Sequence, residues 1–349
     1  MTLLSSFKAV HYRGIDGLSL PRLTAANLVT GVNGIGKTAL LEAMWLFIGR
    51  YRPALLWSEQ VHRSGNQVLD PIDELANGLL ELHGVEREAH HELQASFEHA
   101  SDTGRPIAIG GTAQERLTQL SVAGRIDTFL DGKLAKGNIA GMQPTPWGGV
   151  LHENPASPPN RPNCIISCAE PQLGKSDEYL RHYSDLTRKE GKQKLIDAVG
   201  MVRPNIRNIE ILTDEERVSH LWASTTDGSR LPLGDLGGGV VRACRLFLNF
   251  FASRDGVLLV DEMENGIHHS VLQDVWKRAR LWMHEWNVQL MATTHSAECI
   301  EAAMTAFEDA PEELSIHKLF ENEETGEVEA TTFSGESLEG ARDLSLEIR

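Results

Sequence analysis

The 349-residue sequence has little of what marks secreted or membrane proteins. Its four cysteines (Cys164, Cys168, Cys244 and Cys299) are too few and too scattered for a disulfide framework. Cys164 and Cys168 lack a second pair at metal-binding spacing, so reduced thiols are favoured over a zinc site. No apolar run is long enough to span a bilayer, and the N-terminus lacks the basic and then apolar layout of a signal peptide. These absences predict a cytoplasmic protein that does not enter a membrane.

Basic charge is also scarce, because 49 acidic residues outnumber 33 lysines and arginines and give a formal net charge of −16. A protein that holds DNA by phosphate contact is usually basic overall. We therefore expect nucleic-acid contact, if it occurs, to be indirect or to use a local patch, an oligomer or a partner. No internal repeat and no sustained heptad pattern occur, which argues against a solenoid and a long coiled coil.

A phosphate-binding loop is the clearest positive feature. Residues 31–38 are Gly-Val-Asn-Gly-Ile-Gly-Lys-Thr, which matches the pattern G-x-x-x-x-G-K-[ST]. The apolar residues 23–29 before it predict a buried strand, and the apolar stripe after it predicts a helix. In this context backbone N–H groups wrap phosphates, the lysine reaches the β/γ-phosphates and the hydroxyl holds Mg²⁺. The candidate nucleotide-binding residues of the loop are Asn33, Gly34, Gly36, Lys37 and Thr38, with Thr38 also a metal ligand.

Two acidic residues complete a candidate ATP site. The apolar run 256–260 predicts a strand buried on both faces, and Asp261 and Glu262 follow it directly. The carboxyl ends of such strands bind ligands in α/β folds. We therefore expect Asp261 to orient Mg²⁺ and Glu262 to polarise the attacking water as a catalytic residue, together with Lys37. The plainer interpretation is a core strand that happens to end in an acidic turn.

His295 is the third catalytic candidate. An amphipathic segment at 268–286 and an apolar strand at 288–295 follow the acidic strand, so a strand–helix–strand crossover is predicted. This crossover would bring His295 beside Asp261 and Glu262, where it could sense the γ-phosphate. A lone histidine is otherwise most often an ordinary surface or core residue.

Three consecutive glycines, Gly237, Gly238 and Gly239, precede an apolar helix over 243–251. Such a segment can bind an anion at the helix N-terminus, and here the anion would be the γ-phosphate of a nucleotide held by another subunit. A plain helix cap explains the same residues equally well.

The chain order predicts an α/β fold with further segments around the nucleotide core. Residues 79–130 have the alternation of an antiparallel sheet, and residues 176–200 have a helical pattern. Proline and glycine dominate 131–163, which predicts a long loop. The expected division is a core lobe of 1–170 and 232–349 with a helical lobe of 171–231 inserted into it.

Together these motifs resemble the ABC-type ATPase superfamily, on the branch that includes RecF, SMC proteins and the OLD and Gabija ATPases. The segments that carry the resemblance are 7–13 (ending His-Tyr-Arg), the loop at 32–37, the degenerate signature at 236–242, Asp-Glu-Met-Glu-Asn-Gly-Ile-His at 261–268, and Ala-Thr-Thr-His-Ser at 292–296.

The resemblance implies a P-loop fold with a mixed sheet, an antiparallel β subdomain and a small helical lobe. It also implies ATP and Mg²⁺ as cofactors, a nucleotide contact from Arg13, and a head-to-tail homodimer or higher homo-oligomer around ATP. The signature segment lacks the serine of transporter ATPases, and Gln172 is the best candidate for a Q-loop. OLD and Gabija ATPases carry a TOPRIM nuclease domain, whereas only 54 residues follow His295 here.

We therefore expect an ATP-hydrolysing switch that controls a separate effector, a TOPRIM or HNH nuclease, in antiphage defence. A RecF- or SMC-like DNA repair ATPase is the first alternative. A transporter nucleotide-binding subunit is disfavoured by the long spacing from Lys37 to Asp261, and an ATP-holding scaffold without turnover is disfavoured by Glu262.

Overall fold

The computed structural model describes residues 2–12, 14–49, 79–86, 89–99, 122–143, 150–151, 164–167, 177–189, 191–213, 217–335 and 337–338. The first half contains β1 (Leu4–Tyr12), β2 (Ile15–Leu20), β3 (Ala26–Thr30), α1 (Lys37–Ile48), β4 (Leu79–Glu86), β5 (Ala89–His99), β6 (Val122–Leu130), β7 (Lys133–Gln143), β8 (Val150–Leu151) and β9 (Cys164–Ser167). The second half contains α2 (Asp177–Arg188), α3 (Lys192–Gly200), β10 (Ile206–Thr213), β11 (Ser219–Thr225), β12 (Arg230–Pro232), α4 (Gly238–Ala252), β13 (Val257–Val260), α5 (His269–Trp286), β14 (Gln289–Thr293), α6 (Ala297–Ala306), β15 (Leu314–Glu321) and β16 (Val328–Ser334). Among the helices in these ranges, none is long and apolar enough to cross a membrane.

A six-stranded sheet with the order β16-β15-β3-β14-β13-β9 forms the centre of the fold. Its strands are parallel except for the edge strand β16. Every residue of β3, β13 and β14 is buried, because the sheet is covered on both faces. Leu258 and Leu290 face the apolar cluster that contains α4 and α5, whereas Leu259 and Met291 face the cluster that contains α1. The predicted α/β core is confirmed.

Helix α1 is buried more completely than the sequence predicts. The apolar stripe suggested one buried face, but every residue from Leu40 to Ile48 is buried, including Glu42. The reason is that α1 also packs against β1, where the Phe7 and Phe47 rings meet edge to face at 5.7 Å. The Tyr12 hydroxyl donates to Glu42 Oε2 at 3.3 Å, which gives the buried carboxylate a polar partner.

A second, antiparallel sheet has the order β2-β1-β4-β5-β6-β7-β8. It confirms the antiparallel segment predicted at 79–130, and β1 shows the expected alternation of buried and exposed residues. The predicted loop at 131–163 is wrong over its first part, because residues 133–143 form β7 and pair with β6. No proline occurs in 133–143, so every backbone N–H there can join the ladder, and the prolines begin only at Pro144.

In the segment 171–231, predicted as a helical lobe, the described helices lie in the first half. The sequence at 206–222 predicts a strand, an acidic turn and a strand, and β10 and β11 confirm the two strands. Helices α2 and α3 are followed by the three-stranded antiparallel sheet β10-β11-β12. Buried residues of both parts, such as Tyr183, Leu195 and Ile209, belong to the same apolar cluster as α4. The Tyr183 hydroxyl donates to the Ile209 carbonyl oxygen at 2.5 Å and joins helix to sheet.

Candidate nucleotide site

The phosphate loop connects β3 to α1 and depends on glycine for its shape. Gly31 has φ +141°, and a Cβ at this position would lie 2.6 Å from the carbonyl oxygen of Leu319 in β15. Gly36, the N-cap of α1, has φ +99°. Both conformations are rare for residues with a side chain. Asn33 and Gly34 are exposed, so the loop backbone is accessible to a ligand.

Lys37 is the first residue of α1, and its ammonium group folds back over the loop. Its Nζ donates to the carbonyl oxygens of Gly31 at 2.7 Å and Val32 at 3.0 Å. Burial lowers the pKa of Lys37 below its ordinary value, and the carboxylates of Asp261, Glu262 and Glu264 oppose this shift. The lysine that was predicted to reach phosphate is thus positioned at the loop.

Asp261 joins three elements at the carboxyl end of the central sheet. Its Oδ2 accepts from the Thr38 hydroxyl at 2.9 Å, and its Oδ1 accepts from the Thr293 hydroxyl at 2.6 Å. Its backbone N–H donates to the carbonyl oxygen of Ser167 in β9. The structure therefore brings together the two predicted metal ligands, although they are 223 residues apart.

Glu262 is held in an unusual backbone conformation just after β13. Its φ is +49°, a region that costs a non-glycine residue about 1–2 kcal/mol. Its backbone N–H donates to Thr293 Oγ1 at 2.9 Å, and its Oε2 accepts from Asn265 Nδ2 at 3.2 Å. Several hydrogen bonds thus hold this turn in place and offset its strain.

Arg242 supports the same turn from α4 and was not predicted from the sequence. Its Nη2 donates to the carbonyl oxygens of Asp261 at 2.9 Å and Glu262 at 2.8 Å. Burial lowers the pKa of Arg242 below its ordinary value, with the nearby Arg245 acting in the same direction. The sequence shows an arginine three residues after a glycine segment. The carbonyl oxygens that it contacts can be identified only from the structure.

His295 contacts an acid that the sequence analysis did not single out. Glu264 Oε1 accepts from the His295 backbone N–H at 3.1 Å and lies 3.3 Å from Nδ1 of its ring. The crossover predicted from the sequence is present, with β13 and β14 parallel and adjacent. The contacting carboxylate, however, belongs to Glu264 rather than to Asp261 or Glu262.

The three glycines begin α4, with Gly237 as its N-cap at φ +106°. Gly237 and Gly238 are exposed, and a Cβ at Gly239 would lie 2.9 Å from the carbonyl oxygen of Gly266. The segment therefore packs against the loop that follows Glu262. Both interpretations of these glycines, anion site and helix cap, are compatible with this position.

Two predicted residues, Arg13 and Gln172, lie outside the described residues. The donor set fits Mg²⁺, because Thr38 and Asp261 offer hydroxyl and carboxylate oxygens, and this ion typically takes one or two protein ligands beside phosphates. Clusters of three or more histidine, cysteine or acidic residues that could hold a metal ion without a nucleotide are absent from the described part of the chain.

Comparison with known proteins supports an ATPase fold. The profile of a family described as "AAA domain, putative AbiEii toxin, Type IV TA system" matches residues 170–301, which include β13, Asp261, Glu262 and His295. The chain is an ATPase with a P-loop fold. A curated protein of Helicobacter pylori (strain ATCC 700392 / 26695) named "ATP/GTP phosphatase" is 19% identical to this ATPase over 328 residues, which cover 86% of this chain and 87% of that protein.

Solved structures support the same fold for this ATPase. A crystal structure of the Smc head bound to the C-winged helix domain of ScpA has a TM-score of 0.56 and 11% identity, with 97% of this chain and 100% of that chain covered. An Smc head domain with an extended coiled coil, bound to the C-terminal domain of ScpA and derived from Pyrococcus furiosus, has a TM-score of 0.50 and 11% identity, with 100% of both chains covered. The predicted P-loop fold with a mixed sheet is confirmed, and it is similar to that of Smc head domains.

Proposed function

We propose that this ATPase is a nucleotide-driven switch that dimerises around ATP and controls a separately encoded effector. The observation that carries the proposal is the Asp261 carboxylate, which accepts hydrogen bonds from both Thr38 and Thr293. These hydrogen bonds connect the phosphate loop to the ends of β13 and β14. A ligand at the loop would therefore lie next to segments that are more than 200 residues apart in the chain.

In the proposed site the loop N–H groups of Asn33, Gly34 and Gly36 and the ammonium of Lys37 bind the phosphates. Arg13 adds a further nucleotide contact by resemblance. Thr38 and Asp261 hold Mg²⁺, which neutralises phosphate charge when bound. To reach the phosphates, Lys37 leaves its two carbonyl partners in the loop.

Glu262 is the proposed catalytic residue that orients and polarises the attacking water, and His295 contacts the γ-phosphate. The turn that carries Glu262 is held by Thr293, Asn265 and Arg242, so the carboxylate is positioned before the nucleotide arrives. Such positioning contributes to catalysis because little reorganisation is needed during the reaction.

The dimer is proposed from the exposed surface around the loop. Val32, the second residue of the phosphate loop, is 68% exposed, the largest fraction among the exposed large apolar residues in the described part of the chain. Gly237, Gly238 and Gly239 offer helix N-terminal N–H groups to the γ-phosphate of the second subunit's nucleotide. Arg242 then links that glycine segment to the catalytic turn of its own subunit.

The effector and the biological setting rest on resemblance. The OLD- and Gabija-like motifs suggest antiphage defence with a TOPRIM or HNH nuclease as a separate chain. The family description that matches residues 170–301 names a putative toxin of a type IV TA system. Presence of the γ-phosphate would bias subunit geometry, and the effector would respond to that geometry.

The proposal is tested by nucleotide-dependent assembly. Purified protein is expected to shift from monomer to dimer with ATP and Mg²⁺, measured by light scattering after gel filtration, and to release phosphate. Lys37→Ala should lose both properties while keeping its thermal unfolding temperature within a few degrees. Hydrolysis by a strict monomer, or unchanged turnover in Lys37→Ala, would contradict the proposal.

A second candidate, direct action on DNA, is favoured by the likeness to Smc heads over nearly the whole chain. It predicts that duplex DNA stimulates ATP hydrolysis, and that the stimulation falls steeply between low and physiological salt. DNA-independent turnover at all salt concentrations would leave the effector-controlling switch as the better explanation.

A further inference from the structure

Three carboxylates follow β13, and the proposed hydrolysis uses only Asp261 and Glu262. The third, Glu264, has a side chain that is only 12% exposed, whereas the ring of its partner His295 is 51% exposed. Its backbone carbonyl accepts from Ile267 N–H at 2.9 Å, which closes the loop around it. An anchored carboxylate therefore faces a solvent-facing imidazole.

One oxygen of Glu264 lies close to two nitrogens of His295, the backbone N and ring Nδ1. Oε1 accepts from the backbone N–H at 3.1 Å and is 3.3 Å from ring Nδ1. The 3.3 Å separation is an ion-pair distance, and because a carboxylate only accepts hydrogen bonds, a hydrogen bond between the ring and Oε1 needs the proton on Nδ1. The rotation of the ring is set by the same contact, and the Nε2 edge becomes the edge that can meet a ligand.

A phosphate oxygen at Nε2 also requires an N–H donor. A ring that contacts Glu264 through Nδ1 and phosphate through Nε2 therefore carries both protons and a positive charge. The negative phosphate that meets Nε2 balances that charge, so the part left to Glu264 is to hold the ring in place.

We propose that Glu264 is a positioning residue, which holds the His295 ring so that Nε2 faces the γ-phosphate. The proposal rests on the γ-phosphate role of His295 given above. Glu264 does not touch the nucleotide and acts only through the imidazole.

Glu264 has a second possible influence, because its charge is one of three that oppose the lowering of the Lys37 pKa. Two conservative variants separate the two effects. Glu264→Gln removes the charge but keeps the side-chain length and an oxygen acceptor. Glu264→Asp keeps the charge but withdraws the acceptor by one methylene, about 1.5 Å.

Steady-state ATP hydrolysis provides the first measurement. Positioning predicts that Glu264→Gln keeps kcat within about threefold, whereas Glu264→Asp and Glu264→Ala lower it about tenfold with KM changed less than about twofold. An electrostatic role predicts the opposite order, with Glu264→Asp active and Glu264→Gln impaired, and that order would overturn the proposal.

The matched control is Glu298→Gln, which alters an exposed acid near the same loop. Glu298 Oε2 accepts from Ser296 Oγ at 2.8 Å, next to His295 in the chain. This variant should keep wild-type kcat, and a tenfold loss here would mean that any carboxylate near the loop matters.

A double-mutant cycle provides the second measurement. In the His295→Ala background, Glu264→Ala should cause less than about twofold further loss, because the group through which it acts is gone. An equal loss with and without the ring would show that Glu264 supports the loop alone. Wild-type turnover by His295→Ala would instead refute the proposed role of His295, so the two failures are distinguishable.

A spectroscopic measurement tests the proposal without measuring turnover. It also does not require that Glu264→Ala folds. Imidazole ¹⁵N chemical shifts, with His295 assigned by comparison with His295→Ala, should show a proton on Nδ1 in the nucleotide-free wild type. In Glu264→Gln, whose amide can accept or donate, the neutral ring should populate both tautomers. A wild-type ring protonated on Nε2 alone would overturn the proposal.

Discussion

The two large sheets of this ATPase differ in how the residues along their strands are buried. In the central sheet, β3, β13 and β14 are buried at every position. In the antiparallel sheet, β1 alternates between buried and exposed residues. Most residues proposed to bind and hydrolyse ATP lie at the loop after β3 and at the carboxyl ends of β13 and β14.

This difference explains where the polar residues of a site lie in such a fold. A parallel strand covered on both faces has no solvent-facing side chain until it ends, so its polar residues collect at one edge of the sheet. An antiparallel strand with one wet face spreads its polar residues along its length. Continuous apolar runs that end in polar residues therefore indicate the site, and alternation indicates the scaffold around it.

The largest effect is expected at the end of β13. Glu262→Gln should lower kcat about 10³-fold while ATP binding is retained, because the residue that polarises water is lost. The variant should also accumulate the ATP-bound dimer, measured by gel filtration with light scattering.

The control for Glu262→Gln is Glu321→Gln, since Glu321 is an exposed acid at the end of β15 in the same sheet. This change should leave turnover within about twofold. Equal losses in both variants would mean that acids at this edge act collectively, and the distinction between catalytic and ordinary strand ends would fail.

The next effect concerns the connection between the two sheets. Buried Gln289, the first residue of β14, accepts from the backbone N–H groups of Leu3 and Leu4 and donates to the carbonyl oxygens of Leu4 and Thr24. Gln289→Leu removes the side-chain amide that these backbone groups contact. Buried polar groups that lose a hydrogen-bond partner lower the free energy of unfolding. We expect the free energy of unfolding to fall by about 3 kcal/mol, measured by urea denaturation.

Lys8→Ala is the control for Gln289→Leu, because Lys8 is an exposed residue of β1 on the wet face. It should change the free energy of unfolding by less than about 0.5 kcal/mol. A large loss from Lys8→Ala would contradict the interpretation of that face as solvated scaffold.

A smaller effect depends on pH and involves His317 of β15. Its Nδ1 is 2.9 Å from Thr332 Oγ1 and its Nε2 is 3.4 Å from Asn27 Oδ1. Burial lowers the pKa of His317 from 6.5 to about 4. Because the folded pKa lies below the unfolded one, the stabilisation is complete above about pH 6.5 and is lost as the pH falls towards 4.

The measurement is the difference in unfolding free energy between the wild type and His317→Gln as a function of pH. Between pH 8 and pH 5 the wild type should lose about 2 kcal/mol more than the variant, whose side chain does not titrate. Parallel pH profiles for the two proteins would mean that His317 is not held neutral by its environment in the folded state.

The sequence was sufficient for features that depend on short segments. The loop pattern at 31–38 and the apolar run before Asp261 predicted the strand, turn and helix that the structure contains, because local spacing determines them. The strand at 133–143 was missed because proline and glycine nearby dominated the composition.

Residues whose roles depend on distant partners were harder to predict. Arg242 contacts carbonyl oxygens about 20 residues away, and Glu264 contacts His295 at a separation of 31 residues. The one local signal for Glu264 is its place two residues after Glu262. Without the structure, that place does not distinguish it from an ordinary surface acid. The roles of the individual site residues stay predictions until the variants above are measured.

The pairing of Thr38 with Asp261 has a consequence for the synthesis of the chain. The phosphate loop emerges from the ribosome well before β14 and β15, which flank its strand β3 and are made only after more than 200 further residues. A contact of such high sequence separation forms late and slowly. ATP therefore meets a complete binding site only after β14 and β15 have been made, and a nascent chain that stops before β14 has the loop without the sheet that shapes it.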